Sequence, residues 1–177
     1  MKIFTTANIP KHYKNSAIAI GNFDGVHEGH KKVFYETKKF AKKNKTKFGV
    51  LTFTPLPVMF FNNKIKNHRL AIEEQTFELF KKNKVDFVIN IKFNKKFSKI
   101  SAENFIKKII YKKIKPKLLA VSKNFKFGKN RRGDVRLLKR YGSNYGYQLL
   151  NIKPFKHFKK VVSSTKIRKY LMRGEVE

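Results

Sequence analysis

Five short apolar runs, each followed by a stretch of helical period, limit what this chain can become. The runs are residues 17–21, 48–53, 85–91, 118–122 and 147–152. Between the first two, Val33, Phe34, Thr37, Phe40 and Ala41 recur at steps of three and four with lysines between them, which predicts an amphipathic helix over 28–44. The same reasoning predicts helices over 71–83, over roughly 102–114 with Ser101 as N-cap, over 135–141, and over 166–173 behind Ser163-Ser164-Thr165 and before Gly174. Prolines punctuate the pattern: Pro55 and Pro57 end the second strand, and Pro116 ends the third helix. Residues 1–15 read as a short apolar start and a polar loop, and 58–69 as a polar loop behind a Met59-Phe60-Phe61 patch. Strands alternating with helices predict one α/β domain with a parallel sheet, doubly wound and covered on both faces. Ligands of such sheets bind beyond the carboxyl ends of the strands, where the winding direction reverses. The segments 21–30, 53–62, 122–134 and 161–168 should therefore gather along one edge.

Charge is the other extreme feature. Against 11 acidic residues stand 43 basic ones, a net charge of +32. Lys supplies 36 of these and Arg 7. Lys is a mobile point charge, whereas Arg is the usual bidentate reader of phosphates and bases, so the excess predicts nonspecific polyanion binding at low salt more than dedicated recognition. Cysteine is absent, which removes disulfides, thiol chemistry and zinc ribbons and agrees with a cytoplasmic protein. The N-terminus has no signal-peptide apolar region, and no apolar run approaches a membrane span.

Chemistry concentrates in Gly21-Asn22-Phe23-Asp24-Gly25-Val26-His27-Glu28-Gly29-His30. Three glycines let backbone pass close to a ligand, and two histidines sit at the mouth of a helix, where free N–H groups and the dipole favour an anion. The spacing is neither a dinucleotide fingerprint nor a Walker loop. With no third ligand evident, zinc is disfavoured. Two surface histidines in a loop remain the bland alternative. The second cluster is Ser163-Ser164-Thr165-Lys166-Ile167-Arg168. Its bland reading is a well-capped helix. Its functional reading is a set of hydroxyls, free N–H groups and a guanidinium able to fork a phosphate.

Taken together, His27-Glu28-Gly29-His30 and Ser163-Ser164-Thr165-x-x-Arg168 resemble the two halves of the nucleotidylyltransferase signature. Gly21 to His27, Thr52-Phe53-Thr54-Pro55-Leu56-Pro57 and Val121 to Asp134, with its Asn124-Phe125-x-Phe127-Gly128 core, are similar to bacterial FAD synthetases (FMN adenylyltransferases). Leu56 stands where that family usually has His, and Ser122 where it has Gly. The resemblance implies a Rossmann-like sheet of the nucleotidylyltransferase type and transfer of AMP from ATP to FMN, giving FAD and pyrophosphate. It assigns His27, His30, Asn124, Ser164, Thr165 and Arg168 to the reacting phosphates. Gly21, Asn22, Phe23, Asp24, Gly29 and Ser163 go to the ATP pocket. Phe53, Pro55, Pro57, Phe127, Gly128 and Asp134 go to the flavin side. Mg²⁺ is expected mainly on the phosphates of ATP. Bacterial members usually continue into a riboflavin kinase module; the chain is expected to lack it, and such a module or a partner would supply FMN. Two competitors are a nucleotidylyltransferase with another phosphorylated acceptor, which has no reason to keep Thr-Phe-x-Pro-x-Pro, and a basic nucleic-acid-binding module, which leaves the paired signature unexplained.

Overall fold

The structure, a computed structural model, describes residues 1–62, 68–158 and 160–175. Six parallel strands form its sheet: β1 (Lys2–Phe4), β2 (Ala17–Ile20), β3 (Phe48–Thr54), β4 (Phe87–Lys92), β5 (Leu118–Ser122) and β6 (Gln148–Ile152), in the order β1-β4-β3-β2-β5-β6. From β2 the chain winds outward through β3 to β4, then returns across the centre to β5 and β6. The winding reverses between β2 and β5, which pair directly, with Ala17 opposite Leu118 and Ala19 opposite Ala120. That is where a doubly wound sheet opens its binding crevice.

The central strands β2, β3, β4 and β5 are buried on both sides, and their residues divide by the period of two that the pleat imposes. Ile18, Ile20, Leu51, Phe53, Phe87, Ile89, Leu119 and Val121 belong to one apolar layer. They are joined there by Phe105, Ile106, Ile109, Ile110 and Ile114 from a helix that opens at α5 (Ala102–Asn104) and continues in wider π-type turns through Phe105–Ile114, and by Leu138 of α6 (Val135–Tyr145). Ala17, Ala19, Phe48, Val50, Val88 and Ala120 form the opposite layer with Val33, Phe34 and Ala41 of α1 (Glu28–Lys43) and Phe80 of α3 (Glu73–Lys82). Each fully buried side chain of this size contributes roughly 1.5–3 kcal/mol, so these two layers dominate the stability.

Several boundaries differ from expectation. Residues 2–4, read as part of a short apolar start, form a strand; paired with Phe87 to Ile89, β1 is too short to show a period. The 58–69 stretch opens on a helical turn, α2 (Pro57–Phe61), where Pro57 suits the first helical position; residues 63–67 of that stretch lie outside the described residues. A further turn, α4 (Lys95–Ser98), is capped by Asn94. α6 runs four residues past the expected 141 before Gly146 ends it. After β6 a small antiparallel hairpin, β7 (Lys156–His157) with β8 (Lys160–Val161), leads into α7 (Ser164–Met172), which starts two residues ahead of the expected 166. No described helix is long and apolar enough to cross a membrane.

Candidate active site

The turn after β2 brings the site's parts together. Phe23 (φ 48°), Gly25 (φ 73°) and Val26 (φ 37°) take left-handed conformations in succession, and Phe23 and Val26 are buried beneath the turn. A Cβ on Gly25 would stand 2.9 Å from Leu70 Cβ, so both its φ and the close approach demand glycine. His27 is then the N-cap residue of α1, with no side-chain cap for the helix's first N–H groups. The His27 ring lies back over the helix start: a Cβ on Gly29 would come within 3.0 Å of His27 Cε1 and 3.1 Å of His27 Nδ1. The two imidazoles stack at 3.7 Å between centroids, 19° from parallel, and Phe23 meets His30 edge-on at 5.2 Å.

Both rings are held neutral. Burial lowers the His27 pKa against the opposing pull of the Asp24 and Glu28 carboxylates. Burial, with the adjacent His27, pushes the His30 pKa down to about 3. Among the described residues, Nδ1 of each ring is buried without a hydrogen-bond partner. Orphaned polar atoms in a site are a cost the fold does not recover by itself.

Asp24, 4 % exposed, ties three segments together. Its carboxylate accepts from Leu70 N at 2.9 and 3.1 Å, from Ala71 N at 3.3 Å, and from Nη2 of Arg168 in a short ion pair. Arg168 Nε donates to the His68 carbonyl at 2.6 Å. Ser164 Oγ donates to the Asp24 carbonyl at 3.4 Å, and Val162 O lies near Gly29. Residues 21–30 and 161–168, expected on one edge, therefore meet there. The Arg168 guanidinium, expected to fork a phosphate, is directed at Asp24 and His68 instead. Asp24, expected in the ATP pocket, is turned into this latch. Ser163 caps α7 through Lys166 N at 3.4 Å, and Thr165 is exposed beside it.

A profile of the family described as FAD synthetase matches residues 9–166. The chain belongs to the FAD synthetase family. It is 39 % identical over 171 residues to a bifunctional riboflavin kinase/FMN adenylyltransferase of Buchnera aphidicola subsp. Schizaphis graminum, covering 96 % of this chain and 55 % of that protein. It is 32 % identical over 154 residues to the Escherichia coli K12 protein of the same name, covering 87 % and 49 %. The chain thus spans about half the length of the relatives it matches. In fold it is similar to a crystal structure of a macrolide-efflux protein from Streptococcus pneumoniae, with TM-score 0.84, 21 % identity, and coverage of 98 % of this chain and 56 % of that one. It also resembles a pantoate-β-alanine ligase from Francisella tularensis, with TM-score 0.57, 14 % identity, and coverage of 95 % and 73 %.

The remaining FAD synthetase motif residues divide between surface and core. Asn22 is exposed, its carbonyl accepting from Thr52 Oγ1 at 3.2 Å, and the Gly21 N–H bonds Leu51 O at 3.2 Å. Asn124 is exposed in the turn after β5. Phe53 and Phe127 are each 8 % exposed and belong to one apolar layer, linked through Phe97 and Phe105 at ring separations of 5.6, 6.2 and 5.4 Å. Pro55 is exposed and Pro57 half-buried. Leu56 is buried, at 2 % exposure. Gly128 turns beside Ala102, and Asp134 caps α6 through Leu137 N at 3.0 Å, a bond that with Lys126 and Arg136 lowers its pKa.

Sequence reasoning missed a polar group at the carboxyl end of β3 and β4. Thr54 Oγ1 lies 2.6 Å from Glu73 Oε2 and 3.0 Å from Asn90 Oδ1, and Arg69 Nη2 donates to it at 3.3 Å. His68 and Arg69 fell inside an expected polar loop. The signal available was the scarcity of Arg: with 7 in the chain, one beside a histidine stands out from the lysine background.

Proposed function

We propose that this chain transfers AMP from ATP to FMN. A phosphate oxygen of FMN attacks the α-phosphorus in line, a new P–O bond forms, and the bond to the β-phosphate breaks with its electron pair leaving on pyrophosphate. No protein nucleophile takes part, so the chain's own contribution is to position the phosphates and stabilise their charge. The observation that carries this reading is the stacked, neutral His27–His30 pair, with its Nδ1 atoms buried and unpaired, at an uncapped helix N-terminus strapped to Ser164 and Arg168. A neutral imidazole with its proton on Nε2 would present one donor to a phosphate oxygen. The N–H groups of Glu28 and Gly29 and the hydroxyls of Ser163 and Thr165 add donors around the same edge.

The described residues contain no cluster of three potential metal ligands, and the Asp24 carboxylate is already occupied. Mg²⁺ would therefore be held by phosphate oxygens and water, and no step is assigned to it through the protein. For the flavin, the exposed Val58 and Phe61 of α2, next to Pro55 and Pro57, offer an apolar surface beside the phosphate edge. Incubation with ATP, Mg²⁺ and either FMN or riboflavin, followed by flavin separation, tests the proposal. FAD should form from FMN, whose phosphate supplies the attacking oxygen. FAD synthetase chemistry is refuted for this chain if FMN is recovered unchanged while another phosphorylated acceptor is adenylylated.

A further inference from the structure

Three helix-to-strand connections repeat one pattern: Lys42-Lys43-Asn44-Lys45 into β3, Lys81-Lys82-Asn83-Lys84 into β4, and Lys112-Lys113-Ile114-Lys115 into β5. Paired lysines in a last helical turn have a structural reason, since cations complement the carbonyl end of the dipole. The lysine that follows does not. Lys45 (φ 50°), Lys84 (φ 61°) and Lys115 (φ 51°) each occupy the left-handed position just past a helix, where Gly or Asn fits with least strain. The connection from α6 to β6 uses Gly146 (φ 72°) there. Left-handed lysine at three of four equivalent positions places charge where neither helix capping nor backbone conformation calls for it.

Topology makes these connections neighbours. They enter β4, β3 and β5, and the segment bearing Lys11 and Lys14 enters β2, so all four lie at the amino ends of the contiguous strands β4-β3-β2-β5. Backbone bonds fix them to one another: Asn15 N donates to Lys115 O at 2.8 Å, Ala17 N to Lys47 O at 2.9 Å, and Lys117 N to Ser16 O at 2.9 Å. Lys45, Lys47, Lys84, Lys115 and Lys117 are all exposed. Asp86 is the acidic residue in these connections, and its carboxylate accepts from Phe48 N at 2.7 Å. Four strands at about 4.8 Å make a rim roughly 15 Å across, long enough to contact successive phosphates of one strand. None of the large exposed apolar side chains falls within the four connections, so the rim has no anchor for a bilayer.

We propose that this rim is a nucleic-acid docking surface that binds the phosphate backbone without reading bases, at the opposite end of the strands from the His27–His30 pair. Lysines without an arginine fork supply counterion release but no base recognition. Because the rim and the phosphate site lie at opposite ends of parallel strands, a bound strand leaves the nucleotide edge open.

The test is fluorescence anisotropy with a labelled single-stranded RNA of about 20 nucleotides and mixed sequence, titrated between about 50 and 200 mM salt. The variant K45G/K84G/K115G removes three charges while installing the residue that the left-handed backbone favours, so folding is retained. K39Q/K107Q/K139Q removes the same charge from exposed helical sites. The rim variant should flatten the slope of log affinity against log salt by about 2, at ~0.7 per single-strand contact, and the control should keep the parent slope. Saturating ATP with Mg²⁺ should not displace the RNA. Equal slope changes in both variants, or displacement by ATP, would overturn the proposal. Rim-dependent binding to phosphatidylserine vesicles, with RNA binding unaffected by the substitutions, would overturn it in favour of a membrane surface.

Discussion

Replacing Asp24 with Asn isolates the latch that closes the site. The side chain keeps its shape, but its new amide is a donor, and every neighbour of the carboxylate is also a donor: Leu70 N, Ala71 N and Arg168 Nη2. Whichever way the amide turns, two donors meet. A hydrogen bond to a charged partner is worth ~1.5–3 kcal/mol, and breaking a fully buried ion pair costs about 3–5 kcal/mol. Asp24's side chain is 3 % exposed and that of Arg168 17 %, so the guanidinium regains part of its solvation and the loss should be about 2–3 kcal/mol. For a chain of this length that is roughly 5–10 °C in Tm. Arg168→Met leaves the carboxylate buried and unpaired and should cost at least as much. The double variant should recover about 1.5–3 kcal/mol relative to the sum, measured as a thermodynamic cycle by urea unfolding. The nucleotide should report the same latch: each single variant raises KM for ATP, and Arg168→Lys restores part of it, because a point charge cannot span both Asp24 and the His68 carbonyl. A coupling below about 0.5 kcal/mol would refute the latch and leave α7 an ordinary capped helix.

Acid should destabilise the fold: unfolded imidazoles protonate near pH 6.5, while folded His30 stays neutral to about 3, so between these values the unfolded state holds more protons and stability declines as pH falls. Urea midpoints from pH 8 to 5 should show this, and His30→Gln should flatten the slope by up to ~1.4 kcal/mol per pH unit; an unchanged slope would remove His30 as its source. Gly29→Ala should displace the His27 ring and lower kcat with little change in Tm, since the added methyl meets His27 Cε1 at 3.0 Å rather than core. His30→Ala should lower kcat more than it raises KM for ATP, because its donor matters as charge develops on the phosphates; a pure KM effect would make it a ground-state contact.

The sheet was legible in the sequence because burial of its central strands on both faces leaves continuous apolar runs, and five of its six strands begin and end within two residues of where periodicity placed them. β1 was missed because three residues, two of them exposed, carry no period. The gathering of 21–30 with 161–168 followed from winding rules alone. What the residues did with one another did not follow. Arg168 and Asp24 read as two separate ligands of a nucleotide, each with a motif behind it, and nothing in a one-dimensional pattern shows that a carboxylate and a guanidinium 144 positions apart satisfy each other. Phe53 and Phe127 likewise read as flavin contacts, yet their rings lie within a continuous aromatic layer. Motif residues at the carboxyl end of a strand serve the core and the crevice together, and side-chain burial decides the share.

The manner in which α7 is held bears on how the site works. None of its residues is buried, and Leu171 and Met172 are 52 % and 82 % exposed. Between α7 and α3 runs an open groove of about 480 Å³, lined by Leu70, Ala71, Leu79, Ile167 and Leu171. Hydrophobic burial therefore contributes little to docking this helix, and the Asp24–Arg168 pair, the Arg168–His68 bond and the Ser164–Asp24 bond carry it. Polar contacts of this kind contribute about 1 kcal/mol each in net terms, and more where charged, so α7 belongs to the low-stability end of the molecule. The proposed phosphate site would be complete only while α7 is docked, because Ser163, Ser164 and Thr165 stand at its first turn. A ligand that engages those hydroxyls and the N-terminus of α1 together binds the docked form alone, and stabilises it by RT ln(1 + [L]/Kd). Binding energy at the proposed phosphate edge would thereby be coupled to docking α7 onto the turn after β2.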